Sequence, residues 1–537
     1  MKKFILLGIL LFHFILFAQD EHAWVYLTDK ENVGASIANP ISILTQEAIN
    51  RKEAHNVPID ERDVPVNEAY ISQLKTQTGI SVMAKSKWFN AVYVIGLETD
   101  ISALEALEFV DFIDFADKNL NMDTRVAFNT NKFEAEESLI DFNYAATQNQ
   151  VEMIGVDHLH FADYTGEGIV VAVFDAGFPN VDTMNAFQRL RDNGDLLGGY
   201  DFVDRTEDVF EFDGNQHGTR VLSNMAAFVQ DEFVGTAPDA SYYVFRTEDA
   251  FNEMPVEESY WVEAAERADS LGVHIINSSL GYTAFDNSNY NYSPADMNGN
   301  TAFITKGANI ANEKGILVVN SAGNSGASAW QTLGAPADAS GVLSIGAVDS
   351  EGNYVSFSSQ GTATQPTQKP DVVARGAAAA VVSSSNNIVT SNGTSFSSPI
   401  MAGGIASLWQ ALPNASHEEI KQFVRMSASQ FDTPDYFIGY GIPNLELALD
   451  IGLTISEEDF IQFKVFPNPV SNLLNIHIPS ISETTHLKIF NVLGKLIIEK
   501  EIIQSETKLD VSSMAIGMYM MSFESSKGVT TFKLLKS

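Results

Sequence analysis

Ser395 lies in the run Gly393-Thr394-Ser395-Phe396-Ser397-Ser398-Pro399, which leads into the apolar stretch IMAGGIASLWQAL. That stretch has helical length and periodicity, so Ser395 is expected at a helix N-terminus. A serine hydroxyl is a weak nucleophile until a base removes its proton. A helix start adds free N–H groups and a partial positive charge toward a developing oxyanion. A lone serine before a helix is by default a cap, so the chemistry depends on its partners. Pro399 is expected to cost little there, because first-turn donors lack intrahelical acceptors.

His217 is one candidate partner, in GNQHGTRVLSNMAAF, where glycine-flanked polar residues give way to a helical pattern. Imidazole is the side chain whose ordinary pKa suits proton exchange near neutrality. Asp175 closes the run IVVAVFD ahead of Ala176 and Gly177. A carboxylate at the carboxyl end of a buried strand is costly unless something uses it, and orienting an imidazole is such a use; turn formation is the alternative. Asn324, in NSAGNSG after GILVVN, offers an amide donor for an oxyanion, or else a left-handed turn residue.

These residues must be held by rigid elements. From about 151 to 451, the runs GIVVAVFDAG, ASYYVFRT, VHIINSSLG, GILVVNSAGN and GVLSIGAV are nearly continuous and rich in β-branched residues. Such runs imply strands covered on both faces. Helical segments at 259–270 and 301–314 alternate with them, so the reading is a parallel α/β sheet with helices on both sides. Its chemistry is expected at the carboxyl ends of the strands. Upstream, AVYVIG and VDFIDF read as strands and 101–107 as a helix, the makings of a small α+β domain. From about 459, FKVFPNP, LLNIHIP, HLKIFNVLGK, KLIIEKEII, GMYMMSFES and TTFKLL read as a small β-sandwich. From residue 460 onward eight lysines face six acidic residues, a charge break that supports a separate domain.

The 537 residues exceed what one core organises, and 45% apolar with 19% charged content is ordinary for folded chains. The formal charge of −37, from 69 acidic against 32 basic residues, repels phosphates and anionic membranes. Nucleic acid is therefore not an expected partner. The chain has no cysteine, which excludes disulfides and thiolate metal sites. Lys2 and Lys3 precede an apolar run over 4–17 and then Ala18, the pattern of a signal peptide over 1–18. The run is shorter than the roughly 20 residues of a spanning helix, so a transmembrane anchor is not expected.

The order Asp175, His217, Asn324, Ser395, with KPDVVARG ahead of the nucleophile and GYGIPNLELAL near the domain end, resembles the subtilisin-like proteases over about 300 residues. This order differs from the chymotrypsin and α/β-hydrolase arrangements. The resemblance implies a subtilisin-like fold over 146–455 in which Ser395 attacks a peptide carbonyl. His217 would act as base then acid, Asp175 would orient it, and Asn324 with the Ser395 N–H would hold the oxyanion. By the same resemblance Ser278, Ser279, Leu280 and Gly281 pair with extended substrate and wall the first specificity pocket. Ala176 stands where the family usually has a hydroxyl residue, and Arg220 where a second histidine often follows. Calcium is conceivable as a structural ion at Asp286 and Asp296, although a solvated insertion explains that loop as well.

KSKWFNAVYVIG followed by ISALEALEFVDFIDF resembles the inhibitory propeptides of these proteases, giving a propeptide-like domain over 19–145 cut from the enzyme between about 119 and 150. FKVFPNPVSNLLNI, LKIFNVLGK and the final KLLKS resemble the type A sorting domain of the type IX secretion system, here over 459–537. The implied partners are protein or peptide substrates and the type IX machinery, and the implied location is the cell surface or medium. A catalytically silent surface adhesin or binding module on the same fold remains the alternative.

Overall fold

The structure, a computed structural model, describes residues 20–118, 120, 138–139 and 146–454, then 464–466, 470–477, 485–491, 495–502, 504, 506–515, 517–525 and 528–536. The expected signal peptide and most of the expected cleavage region lie outside these residues. The chain divides into two units, Met1–Leu449 and Asp450–Ser537.

At the N-terminal end of the first unit, β1 (Asp20–Leu27) is followed by helix α1 (Gln46–Ala54) and then by β2 (Ser81–Ser86), β3 (Ala91–Leu97) and β4 (Val110–Phe115). The strands form an antiparallel sheet in the order β2-β3-β1-β4. Because side chains alternate across a strand, β1 serves two cores. Ala23, Val25 and Leu27 pack with Val92, Val94, Ile101 and Leu104 inside the block. Trp24 faces the other way and joins Tyr93 and Trp88 in a cluster shared with the central α/β layer. There it stacks on Phe303 with ring centroids 4.4 Å apart. The expected helix at 101–107 begins earlier, at Glu98, and its later part tightens into a 3-10 turn over Ala103–Ala106. Glu98 and Asp100 suit the positive end of that helix.

The central layer is a seven-stranded sheet of β5 (Val170–Asp175), β6 (Leu196–Asp201), β7 (Ser241–Arg246), β8 (Ile275–Ser278), β9 (Leu317–Ser321), β10 (Leu343–Val348) and β11 (Val372–Arg375). Its order is β11-β10-β9-β8-β5-β7-β6 and every pairing is parallel. Helices α2 (His217–Ala226), α3 (Val256–Leu271), α4 (Phe303–Glu313) and α5 (Thr394–Ala411) cover it. The five strands expected from continuous apolar runs are present. The Gly198-Gly199 pair interrupts the apolar pattern of β6, and β11 is only four residues long.

In the second unit, β12 (Lys464–Phe466), β13 (Leu473–His477) and β16 (Glu506–Asp510) form one sheet. The other contains β14 (Thr485–Asn491), β15 (Leu496–Ile502), β17 (Gly517–Ser525) and β18 (Gly528–Lys536). Leu474, Ile476 and Leu509 of the first sheet share a core with Leu487, Ile489, Met521 and Phe523 of the second, which makes a sandwich. The polar strand ETKLD at 506–510 carries no alternating apolar signal.

Candidate active site

The carboxyl end of β5 delivers Asp175, and helix α2 delivers His217 as its first residue. His217 Nδ1 lies 2.8 and 3.0 Å from the two oxygens of Asp175, whose side chain is fully buried. The glycine of the His-Gly-Thr run permits this approach. A Cβ at Gly218 would stand 2.5 Å from the Gly177 carbonyl oxygen and 2.9 Å from Asp175 Cβ. Where the family resemblance expects a hydroxyl after the aspartate, the Ala176 backbone N–H donates to Asp175 Oδ1 at 2.7 Å. Arg220 is buried one helical turn on, and desolvation lowers the pKa of its guanidinium.

Ser395 occupies the second position of α5, whose cap is Gly393. Pro399 is the sixth helical residue, not part of the first turn as expected, so its missing N–H deprives the Ser395 carbonyl of its intrahelical donor. Ser279 Oγ fills that place, donating to the Ser395 carbonyl at 2.9 Å. Ser398 Oγ donates to Asn277 Oδ1 at 3.0 Å, tying the same turn to β8. The proline is therefore accommodated by a tertiary bond that fixes the Ser395-bearing turn against β8. Ser395 Oγ itself points toward the Ser279 carbonyl at 3.4 Å, and the Phe396 ring beside it lies 5.7 Å from the His217 ring.

Asn324 follows β9 on the turn where the left-handed residue is Gly323, with φ of 101°. The amide orientation of Asn324 is fixed by its partners. Thr394 N–H and Thr394 Oγ1 donate to Asn324 Oδ1 at 2.9 and 3.0 Å, which only an oxygen can accept from the backbone N–H. Both bonds engage the carbonyl end and not the amide nitrogen, and Asn324 and Ser395 line one cleft. Ser279, Leu280 and Gly281 line the same cleft. Ser278 differs: its hydroxyl accepts from Trp261 Nε1 at 3.0 Å, within the core beneath the sheet.

KPDVVARG forms β11 and a buried ion cluster. Burial alone would raise the Asp371 carboxyl, but Lys369 at 2.9 Å and Arg425 at 2.5 Å hold it below the usual carboxylate range. Asp286 Oδ2 accepts from the Glu253 N–H at 3.2 Å, and Asp296 Oδ2 closes the 293–296 turn through Ser293. The two candidate calcium ligands are each engaged locally. Among the described residues no three His, Cys, Asp or Glu side chains converge on a common ion position.

The roles of Thr394 and of the Ser279 hydroxyl escaped sequence reasoning. Pro399, four residues after Ser395, was the available signal that the Ser395 carbonyl needed an outside donor.

An acid-paired imidazole, a serine at a helix start and an anchored amide, carried on a parallel α/β sheet, are the kinds of group that a serine hydrolase uses. Residues 166–441 match the subtilase family, 22–134 the peptidase S8 propeptide domain of Bacteroidota, and 464–537 a secretion system C-terminal sorting domain. The chain is 30% identical over 300 residues to subtilisin DY of Bacillus licheniformis, covering 56% of this chain and 97% of that one. It is 30% identical over 290 residues to subtilisin BL of Lederbergia lenta, covering 54% and 93%, and 29% identical over 334 residues to subtilisin E of Bacillus subtilis (strain 168), covering 62% and 77%. The chain belongs to the subtilase family. It is a serine-type endopeptidase made with an N-terminal propeptide and carrying a type IX sorting domain that directs it to the cell surface or the medium.

Among the described residues no helix is long and apolar enough to cross a membrane.

Proposed function

We propose that this protein hydrolyses peptide bonds through an acyl-enzyme on Ser395. His217 takes the Ser395 proton as the hydroxyl attacks the scissile carbonyl, then gives it to the leaving amine. Water attacks the resulting ester by the same route in reverse. Asp175 keeps the imidazole in the tautomer with Nδ1–H toward the carboxylate and stabilises the imidazolium. The Asn324 amide and the Ser395 N–H receive the oxyanion. Extended substrate adds as a strand beside 279–281, with Ser278 contributing backbone only.

The observation that carries this reading is the Asp175–His217 contact at 2.8 Å, with the imidazole ring beside Phe396, the residue after Ser395. A second support is the tie of Asn324 Oδ1 to Thr394, which leaves its donors for the oxyanion. Domain limits of 1–18, 19–145, 146–455 and 459–537 belong to the same proposal, with the propeptide cut between about 119 and 150. Ser395→Ala tests it: the variant should accumulate as an uncut chain and hydrolyse no peptide while melting like the wild type. Normal maturation of the purified variant would overturn the mechanism.

A further inference from the structure

We propose that Glu253 makes this protease select lysine or arginine immediately before the scissile bond, its carboxylate meeting the substrate's positive charge. The proposal rests on Ser395 being the nucleophile, because the cleft concerned is the one that opens beside it.

That cleft is lined in part by Leu280, Gly281, Ala322 and Gly323. Leu280 and Ala322 contribute apolar surface, and the two glycines contribute backbone without a side chain. Such walls suit the methylene stem of a long side chain. Of the residues lining the cleft, Glu253 is the one with an ionisable side chain. It is half-buried, in the segment between β7 and α3, where its charge is less screened than on an open surface.

The placement of Glu253 is fixed by two backbone bonds. The Glu253 N–H donates to Asp286 Oδ2 at 3.2 Å, and the Glu253 carbonyl accepts from the Asp286 N–H at 2.9 Å. Asp286 follows Thr283 and Ala284, which line the same cleft, so the acidic segment and the wall hold each other. The surrounding potential has the same sign. Burial first, and then the negative charges of Glu248, Glu257 and Glu253, push the phenol of the neighbouring Tyr282 well above its usual range. A carboxylate in a narrow cleft amid further carboxylates favours a cationic side chain and disfavours an acidic one.

The test is a set of fluorogenic peptides differing only in the residue before the scissile bond, given to the mature wild type, Glu253→Gln and Glu253→Asp. The wild type should show kcat/KM at least about tenfold higher for Lys or Arg than for Leu. Glu253→Gln should bring that ratio to within about twofold of unity while leaving the Leu peptide nearly unchanged, and Glu253→Asp should keep the cationic preference. A wild type that cleaves without preferring Lys or Arg would overturn the proposal, as would a preference that survives in Glu253→Gln. Should Glu253→Gln cleave nothing, Glu253→Asp decides: retained preference supports the assignment, and general loss counts against it. A wild type that cleaves no peptide at all would instead remove the Ser395 reading on which the proposal stands.

Discussion

Asn324 separates catalysis from stability through two substitutions. Its Oδ1 accepts from the N–H and the hydroxyl of Thr394, a fully buried residue, while its amide donors are proposed for the oxyanion. Asn324→Ala removes both functions. Loss of one oxyanion donor lowers kcat by about a hundred- to a thousandfold, or roughly 3 to 4 kcal/mol. The two Thr394 donors left buried without an acceptor cost a further 1 to 3 kcal/mol of stability, roughly, which shifts melting by several degrees in a domain of this size. Asn324→Asp keeps an acceptor for Thr394 but turns a carboxylate toward the oxyanion. It should therefore melt close to the wild type while losing at least as much kcat as the alanine variant. Both should leave KM nearly unchanged, since the donors act in the transition state. Peptide kinetics and calorimetry on the same preparations read the two effects apart. Full kcat in Asn324→Asp, or a rise in KM alone, would exclude Asn324 as an oxyanion donor.

The propeptide and the sorting domain yield three further expectations. Asp269 on α3 pairs with Arg51 at 2.5 Å and Lys52 at 2.9 Å, both on α1 and all buried; Asp269→Asn should weaken inhibition of the mature enzyme by the separated propeptide about a hundredfold or more, and unchanged inhibition would exclude this anchor. His22 is buried between Tyr93 and Tyr290, and desolvation lowers its imidazole from 6.5 to about 4. The undocked imidazole takes up a proton that the docked one resists, so docking is strongest above pH 6.5 and weakens by up to about 3 kcal/mol as pH falls toward 4. Propeptide release followed between pH 7.5 and 4.5 should accelerate accordingly and His22→Phe should flatten the profile, whereas a pH-independent rate in the wild type would refute it. Removal of residues 459–537 should leave a purified protease with normal peptide hydrolysis but retain it inside the outer membrane of a type IX-competent host, and loss of hydrolysis would contradict the independence of the sandwich.

What could be read from the sequence follows the range of the forces involved. β5, β7, β8, β9 and β10 were legible because strands covered on both faces must be apolar throughout, and that requirement is local. Asp175, His217 and Ser395 were legible for a related reason: each sits where an element begins or ends, so motif and geometry coincide. Contacts between distant segments left no local trace. Thr394 bonding Asn324, Ser279 replacing the donor that Pro399 lacks, and Asp269 joining α1 to α3 each require the fold to bring the partners together. β1 was hidden differently, since DEHAWVYL alternates between two cores, one of which belongs to the neighbouring layer. The Pro399 expectation failed because the helix begins at Thr394, which moves the proline beyond the first turn.

In the proposed mechanism Ser395 is a nucleophile activated by His217. A fluorophosphonate probe, followed by peptide mapping in a mass spectrometer, tests it directly on the mature wild type and on Ser395→Ala and His217→Ala. The expected outcome is a single phosphonylated peptide carrying the adduct on Ser395, no adduct in Ser395→Ala, and labelling slowed by at least about a hundredfold in His217→Ala. An adduct on any other serine, or labelling of Ser395 at the wild-type rate without His217, would contradict it.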